Sequence, residues 1–335
     1  MRKVGRIRDV AKEVGLSIAT VSRVMNGATN VSPKTRERVL SACEKLDYVP
    51  NPAARALSTN KSRTIAAIIP TIEHSVFAKY IAAIEQTLSE HSYSLVMAIS
   101  NADQDEELKA ARKLLGMGAE AFILTGARHR DELFDMFKRR NVPHVLTSIW
   151  DPNNESTTIG YDNAALAVEA VTFLVASGHR NIAIIHGPLS ESDRTQARRS
   201  GAVAARSEQT TIGFYETELN VAGGKRVVHD ILQSRLQSGS RYTAILCFSD
   251  VLALGAYLAL SAAGLRIPDD ISLMGFDNLD WSDQVVPPLT TIDLPARRMG
   301  DEVAAQLIDH LESAKPLHST LLSGNIIHRQ SVRKT

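Results

Sequence analysis

Over residues 6–47 the apolar side chains recur three and four positions apart: Val10 and Val14, then Val21, Val24 and Met25, then Val39, Cys43 and Leu46. That spacing puts each set on one face of a helix, so the stretch is predicted to be all helical. Gly15 breaks the first run, at about residues 7–14, and supplies the permissive backbone of a tight turn. Leu16 is placed to pack into the angle, and Ser17 to cap the second helix. Ser32 followed by Pro33 opens the third, because proline at the first helical position gives up only an N–H that has no partner there.

After Lys61 the pattern becomes short β-rich runs alternating with amphipathic helical stretches. Strands are predicted at 64–70, 93–99, 120–125, 144–149, 181–186, 211–215, 243–248 and 271–276. Helical patterns lie between them, as at 75–91, 105–117, 163–177 and 250–263. Such alternation implies parallel sheets. A closed (β/α)₈ barrel is the rival architecture, but a second β–helix series beginning near Tyr161 favours two doubly wound subdomains. No internal repeat or low-complexity segment stands out. The connecting stretch DYVPNPAARALSTNK (47–61) reads as a linker with a purpose. Pro50 and Pro52 end the preceding helix, and 53–57 is a good but very short helix former, expected to fold only when something docks against it.

A length of 335 residues fits two or three domains, and 44% apolar with 22% charged residues describes chains with real cores. The net charge of +1 conceals an asymmetry: residues 1–61 hold twelve Lys and Arg against five Asp and Glu, and the remainder 26 against 32. A basic head on an acidic body points the head at a polyanion, although a merely solvated N-terminus would look the same by charge alone. Cys43 and Cys247 read as small buried hydrophobes in a reducing compartment, without metal-ligand spacing. The N-terminus MRKVGRIRDVAKEVG has no apolar leader and no stretch approaches 18 apolar residues, so a cytoplasmic location and no membrane partner are expected. Nucleotide-binding, metalloprotease and nucleophile-elbow strings are missing, and the ten histidines are scattered, with His179 and His186 read as structural. No catalytic residue, metal site, cofactor or enzymatic activity is therefore expected.

With Val21 and Val24 turned inward, the second helix leaves Ile18, Ala19, Ser22, Arg23 and Asn26 outside, where they could meet base edges in a major groove. The strings DVAKEVGLSIATVSRVMNG, VSPKTRERV and YVPNPAARALS, in that order and spacing, resemble the DNA-binding head and hinge of the LacI family. The resemblance implies a dimeric head on a near-palindromic double-stranded operator. Ile18, Ala19 and Arg23 fall on its base-reading positions, and Thr20, Ser22, Asn26 and Thr35 on its backbone-contacting ones; Ser17 opens the same surface. Ala19 offers no hydrogen bond and could only touch a thymine methyl, while Arg23 suits either a guanine or a phosphate. Leu57 falls on the hinge leucine that wedges into the minor groove, flanked by Asn51, Ala54 and Arg55. Its alternative is a core leucine.

The strings SGHRNIAIIHGP, DRTQARRSG, CFSDVLALGAYLALSAAGLRIPDDISLMGFDN, PPLTTID and IHRQS resemble the same family's periplasmic-binding-protein-like core. The implied organisation is a helix–turn–helix domain at 1–48, a hinge at 49–61, and a sensor and dimerisation domain at 62–335. The sensor would consist of two α/β subdomains with a boundary near 161 and crossovers near 290 and 320. Ligands of open α/β sheets bind at the carboxyl ends of the strands. There, Arg198 and Asp277 fall on the family's ligand-binding arginine and aspartate, or else form a structural pair. Phe77, Ser148 and Ser249 fall on lining positions, Asp193 and Arg194 are extra polar candidates, and Trp150, Phe248 and Trp281 could stack on a sugar ring or belong to the core. The stretch after Gly201 is shorter than the family pattern, so Leu219 and Asn220 are not carried over. The implied function is a ligand-responsive repressor of carbohydrate or sugar-acid genes, with Arg194 and Arg198 tilting the ligand toward an anion. The rival readings are a small-sugar-binding protein or a sugar-processing enzyme with no DNA role.

Overall fold

The computed structural model describes residues 5–25, 30–49, 61–72, 75–238 and 242–333. Asn26, Asn51, Ala54, Arg55 and Leu57 lie outside them. The chain divides into two compact units, Met1–Arg63 and Thr64–Thr335.

The first unit is built from α1 (Ile7–Val14), α2 (Ile18–Met25) and α3 (Pro33–Lys45). Gly15 ends α1 in the left-handed conformation, φ 64°, which is why a glycine stands there. The Ser17 hydroxyl accepts the Thr20 N–H, and Ser32 accepts the Thr35 N–H, so both predicted caps are made. Val10, Val14, Val21, Val24, Val39 and Cys43 close a small core, with Leu16 packed against it. Arg38 donates to the Val14 carbonyl at 2.8 Å, satisfying an orphan acceptor at the end of α1.

The second unit holds two parallel sheets. In the first, β1 (Thr64–Ile69), β2 (Ser94–Ile99), β3 (Ala121–Thr125), β4 (His144–Thr147) and β5 (Thr157–Gly160) are joined at one edge by β11 (Thr320–Leu321). Their order is β11-β5-β4-β3-β1-β2. In the second, β6 (Asn181–His186), β7 (Thr211–Glu216), β8 (Ala244–Cys247) and β9 (Ser272–Met274) run in the order β7-β6-β8-β9. The remaining strands, β10 (Thr291–Asp293) and β12 (Asn325–Ile327), make an antiparallel pair. Helices α4 (Ser75–Glu90), α5 (Gln104–Gly116) and α6 (Asp131–Arg140) link the first sheet, and α7 (Asn163–Ala176), α8 (Asp193–Ala204), α9 (Val221–Ser238) and α10 (Asp250–Ala262) the second. The chain then returns: α11 (Ala296–Ser313) packs on α4, and β11 adds to β5. A closed barrel is thereby replaced by two open sheets of doubly wound order.

In each sheet the strand order reverses around the first strand, so the crevices at the β1/β3 and β6/β8 carboxyl ends are the topological switch points. One apolar cluster joins the subdomains, running from Ile65 and Ile84 through Leu166 and Val171 to Leu246, Phe276 and Val303. Further cores lie on the other face of each sheet. Asp162, Ser192 and Ser249 cap α7, α8 and α10. A Cβ at Gly201 would overlap the carbonyl of Ala164, so α8 can approach α7 this closely only through a glycine. Gly201→Ala is expected to push α8 outward and cost about 1–3 kcal/mol, as overpacking does; a melting temperature equal to that of the wild type would contradict this close approach.

Candidate functional site

On α2 the exposed positions include Ser17, Ile18, Ala19 and Arg23, with Thr20 and Ser22 half-buried, as is Thr35 on α3. Ile18 stays 43% exposed, a large apolar side chain left in water beside an alanine and an arginine. The Thr20 hydroxyl engages Ser17, and that of Thr35 engages Ser32, both at 2.9 Å, so these side chains also hold the helix starts in place.

The second unit carries a chamber of about 90 Å³ between its subdomains. Phe77, Tyr80, Ser148 and Met299 face Leu219, Phe248, Ser249 and Arg198 across it. Buried Arg198 is met on every side. Its Nε donates to Asn163 Oδ1 at 2.9 Å, its Nη1 donates to the Phe248 carbonyl at 2.6 Å, and its guanidinium lies 3.8 Å from the centre of the Phe276 ring. Asp277 stands 4.0 Å from Nη1 and accepts from the Ser249 hydroxyl at 2.8 Å. Asn163 also donates to the Ser148 carbonyl at 2.9 Å, tying the Arg198 side of the chamber to the first subdomain. Asp277 itself adopts φ 122°, a conformation rare for a side-chain-bearing residue. Asp250 holds that loop by accepting from the Leu279 N–H and the Thr291 hydroxyl.

Residues 6–51 match the family described as bacterial regulatory proteins, lacI family, and residues 171–332 the periplasmic binding protein-like domain. The catabolite control protein A of Priestia megaterium is 33% identical over 98% of this chain and 99% of its own. The chain belongs to the LacI family. The ribose operon repressor of Haemophilus influenzae is 29% identical over 97% of this chain and 98% of its own. A solved lac repressor dimer bound to operator and the anti-inducer ONPF superimposes with a TM-score of 0.85 at 28% identity, covering 99% of this chain and 100% of that one. The helical head and parallel-sheet body are thus those of LacI-family DNA-binding repressors.

Of the LacI-type candidates read from sequence, Phe77, Ser148, Arg194, Arg198, Phe248, Ser249 and Asp277 come together around the chamber. Trp150 and Trp281 do not line it; Trp281 packs against the core of the second subdomain. Asp193 lines a neighbouring cavity and pairs with Arg194 at 2.8 Å. Leu219, left aside in the sequence because of the shortened stretch, does line the chamber. Asn163, Tyr80, Tyr161 and Met299 were missed altogether. Only the Asp162 cap preceding Asn163 carries a local signal, and that signal marks a helix start and says nothing of a site. Among the described residues, no cluster of His, Cys, Asp and Glu could hold a metal ion, and no helix is long and apolar enough to cross a membrane.

Burial raises the carboxyl group of Asp277 to about 7, with Arg198 pulling it down and Asp250 pushing it up. Burial likewise raises Asp250 to about 6. A folded carboxyl group that titrates above its unfolded value binds extra protons in the folded state, so it withdraws stability as pH rises from about 4 to about 7. Asp277→Asn should therefore match wild-type stability near pH 4. At pH 8, with the charge gone, it should exceed the wild type by on the order of 2–4 kcal/mol. Denaturant unfolding of both proteins across this range tests it; a variant less stable than wild type at pH 8 would mean that Arg198 needs the charge more than burial penalises it.

Proposed function

We propose that this protein is a homodimeric, effector-controlled repressor whose body binds a sugar or sugar acid in the inter-subdomain chamber and thereby alters operator binding by its head. One observation carries the reading. A buried arginine and a buried aspartate, each held by neighbours yet with hydrogen-bonding capacity left, face aromatic and aliphatic walls at two topological switch points. Charged groups give orientation through strong hydrogen bonds, and apolar faces accept the C–H faces of a sugar ring. Arg198 and Asp277 are the grip in this reading, with Ser249 and Ser148 beside them and Phe77 and Phe248 as walls. On the head, Ile18, Ala19 and Arg23 read bases. Ser17, Thr20, Ser22, Asn26 and Thr35 hold the backbone, and Leu57 with Asn51, Ala54 and Arg55 forms the hinge contact.

The dimer is supported by β2, an edge strand that leaves Met97 and Ile99 more than 40% exposed. Apolar side chains left on an open edge mark a surface that a second copy can cover. The ribose operon repressor among the relatives supports a carbohydrate effector. Turnover separates this reading from a sugar-processing enzyme, because a repressor returns its effector unchanged.

Arg198→Ala and Asp277→Ala each remove one partner of the grip. Loss of a charged hydrogen-bond partner costs about 1.5–3 kcal/mol, so effector affinity should fall roughly ten- to a hundredfold. Operator affinity without effector should stay as it was. Coupling is reciprocal, so the variants should need correspondingly more effector for the same change in operator binding. Operator duplexes selected from a random pool, titrated against wild type and variants over an effector series, give the measurement. Wild-type responses in both variants would remove the chamber from the switch.

A further inference from the structure

Asp277 belongs to the second subdomain, but the side chains that close the chamber over it belong to the first. Phe77 and Tyr80 on α4, Ser148 after β4 and Met299 on α11 stand opposite, and Asp277 is left 8% exposed. Lys79 on the Asn278 carbonyl at 3.1 Å and Arg128 on the Ser190 carbonyl at 2.9 Å hold the two subdomains in this closed form.

Closure takes water from the carboxyl group and gives it little in return. Its short hydrogen bond, 2.8 Å from the Ser249 hydroxyl, comes from its own subdomain. Arg198 Nη1 stands 4.0 Å away and donates to the Phe248 carbonyl, while its Nε donates to Asn163. Ser148, the polar residue of β4's end, engages the Met299 sulfur with its N–H and its hydroxyl at 3.3 and 4.0 Å. The other charges around Asp277 are committed as well. On α8, Arg194 pairs with Asp193 at 2.8 Å; on α4, Lys79 is turned to Asp280. On β10, Asp293 takes the Asn278 amide, and Arg329 donates to Asn278 Oδ1, both at 2.8 Å. Tyr161 and Tyr80 present phenols, and Asp250 on α10 adds a second buried carboxyl group.

Closing this cleft over an ionised carboxylate costs its hydration, whereas closing it over a neutral carboxyl group costs far less. The closed and open forms therefore differ in proton affinity, and a proton must favour the closed one. We propose that Asp277 makes the cleft proton-gated: the closed chamber holds its carboxyl group protonated, and loss of that proton drives the subdomains apart. For its effect on DNA the proposal rests on the reading that the cleft governs the head. Burial brings the group to about 7 in the closed form, and hydration returns it toward the ordinary carboxylate value of about 4. Between these limits each fall of one pH unit favours the closed form by up to about tenfold, and above about 7 both forms are ionised and the dependence ends.

The test needs no effector. Residues 1–61 contain no histidine, so no side chain of the head titrates between pH 5.5 and 8 at its ordinary value. Full-length protein is measured by small-angle scattering across that range at constant ionic strength. In the same buffers it is titrated onto an operator duplex selected from a random pool. The radius of gyration should be smaller at pH 6 than at pH 8, and operator affinity should differ by up to about tenfold between them. Asp277→Asn should show neither dependence. Ser249→Ala removes a hydrogen bond that favours the ionised form, so it should move the transition to higher pH, which a general loss of stability would not do. Wild-type dimensions that ignore pH, or an Asp277→Asn variant that keeps the wild-type dependence, overturn the proposal. Should Asp277→Asn fail to fold, a transition unmoved in Ser249→Ala overturns it equally. If the dimensions follow Asp277 while operator affinity stays constant, the proton-gated cleft stands and the reading that the cleft governs the head falls.

Discussion

A guanidinium taken out of water must be met on every side, and the middle of this body is organised around meeting Arg198. Its partners come from separate parts of the chain: the Asn163 amide at the start of α7, the Phe248 carbonyl after β8, the Phe276 ring, and Asp277 in the loop after β9. A buried charge that loses the Asn163 or Phe248 hydrogen bond has no water to turn to, so these neutral contacts must be kept. The strands and helix starts that carry these partners are therefore held in register by one side chain. Gly201, three residues on, is what lets α8 come near enough to α7 for the contact with Asn163.

The same arrangement links the two subdomains. Asn163 touches Arg198 with its carbonyl and Ser148 with its amide, so the two subdomains share a polar link at the chamber wall. Lys79 on α4 reaches across to the Asn278 carbonyl and to Asp280, and Ala127 N–H and Arg128 reach to Asp193 and Ser190. Polar latches therefore stand on both sides of an apolar chamber. In the mechanism proposed above, an effector acts by replacing or spreading these latches, which would shift one subdomain on the other as two-state allostery requires.

The head is a different kind of object. Its core is a few valines, alanines and one cysteine, and its precision comes from ends: a left-handed glycine, two serine caps, and an arginine on a carbonyl. A core this small leaves most of each helix in water, and the basic side chains occupy that surface. Ile18 is exposed because Val21 and Val24 occupy the inward face of α2.

The head was legible in the sequence because helix periodicity, glycine turns and serine caps act over one turn of chain, and each signal is complete within four or five residues. The longer strands of both sheets were legible for the same reason, as continuous apolar runs. The strands β5, β10, β11 and β12 were not, since each has only two to four residues and, unlike the equally short β4, β8 and β9, none lies within a longer apolar run. At the site, Arg198, Asp277 and Ser249 were reached through resemblance, whereas Asn163, Tyr80, Leu219 and Met299 joined them only in three dimensions. Trp150 and Trp281, chosen for their ring chemistry, fell outside the chamber, Trp281 because its ring packs against the core of the second subdomain. The sequence by itself determined which segments form which elements and where the basic charge lies. Which side chains meet across the cleft was decided by the packing of two sheets whose contributing residues lie tens to hundreds of positions apart, a distance over which no local pattern carries.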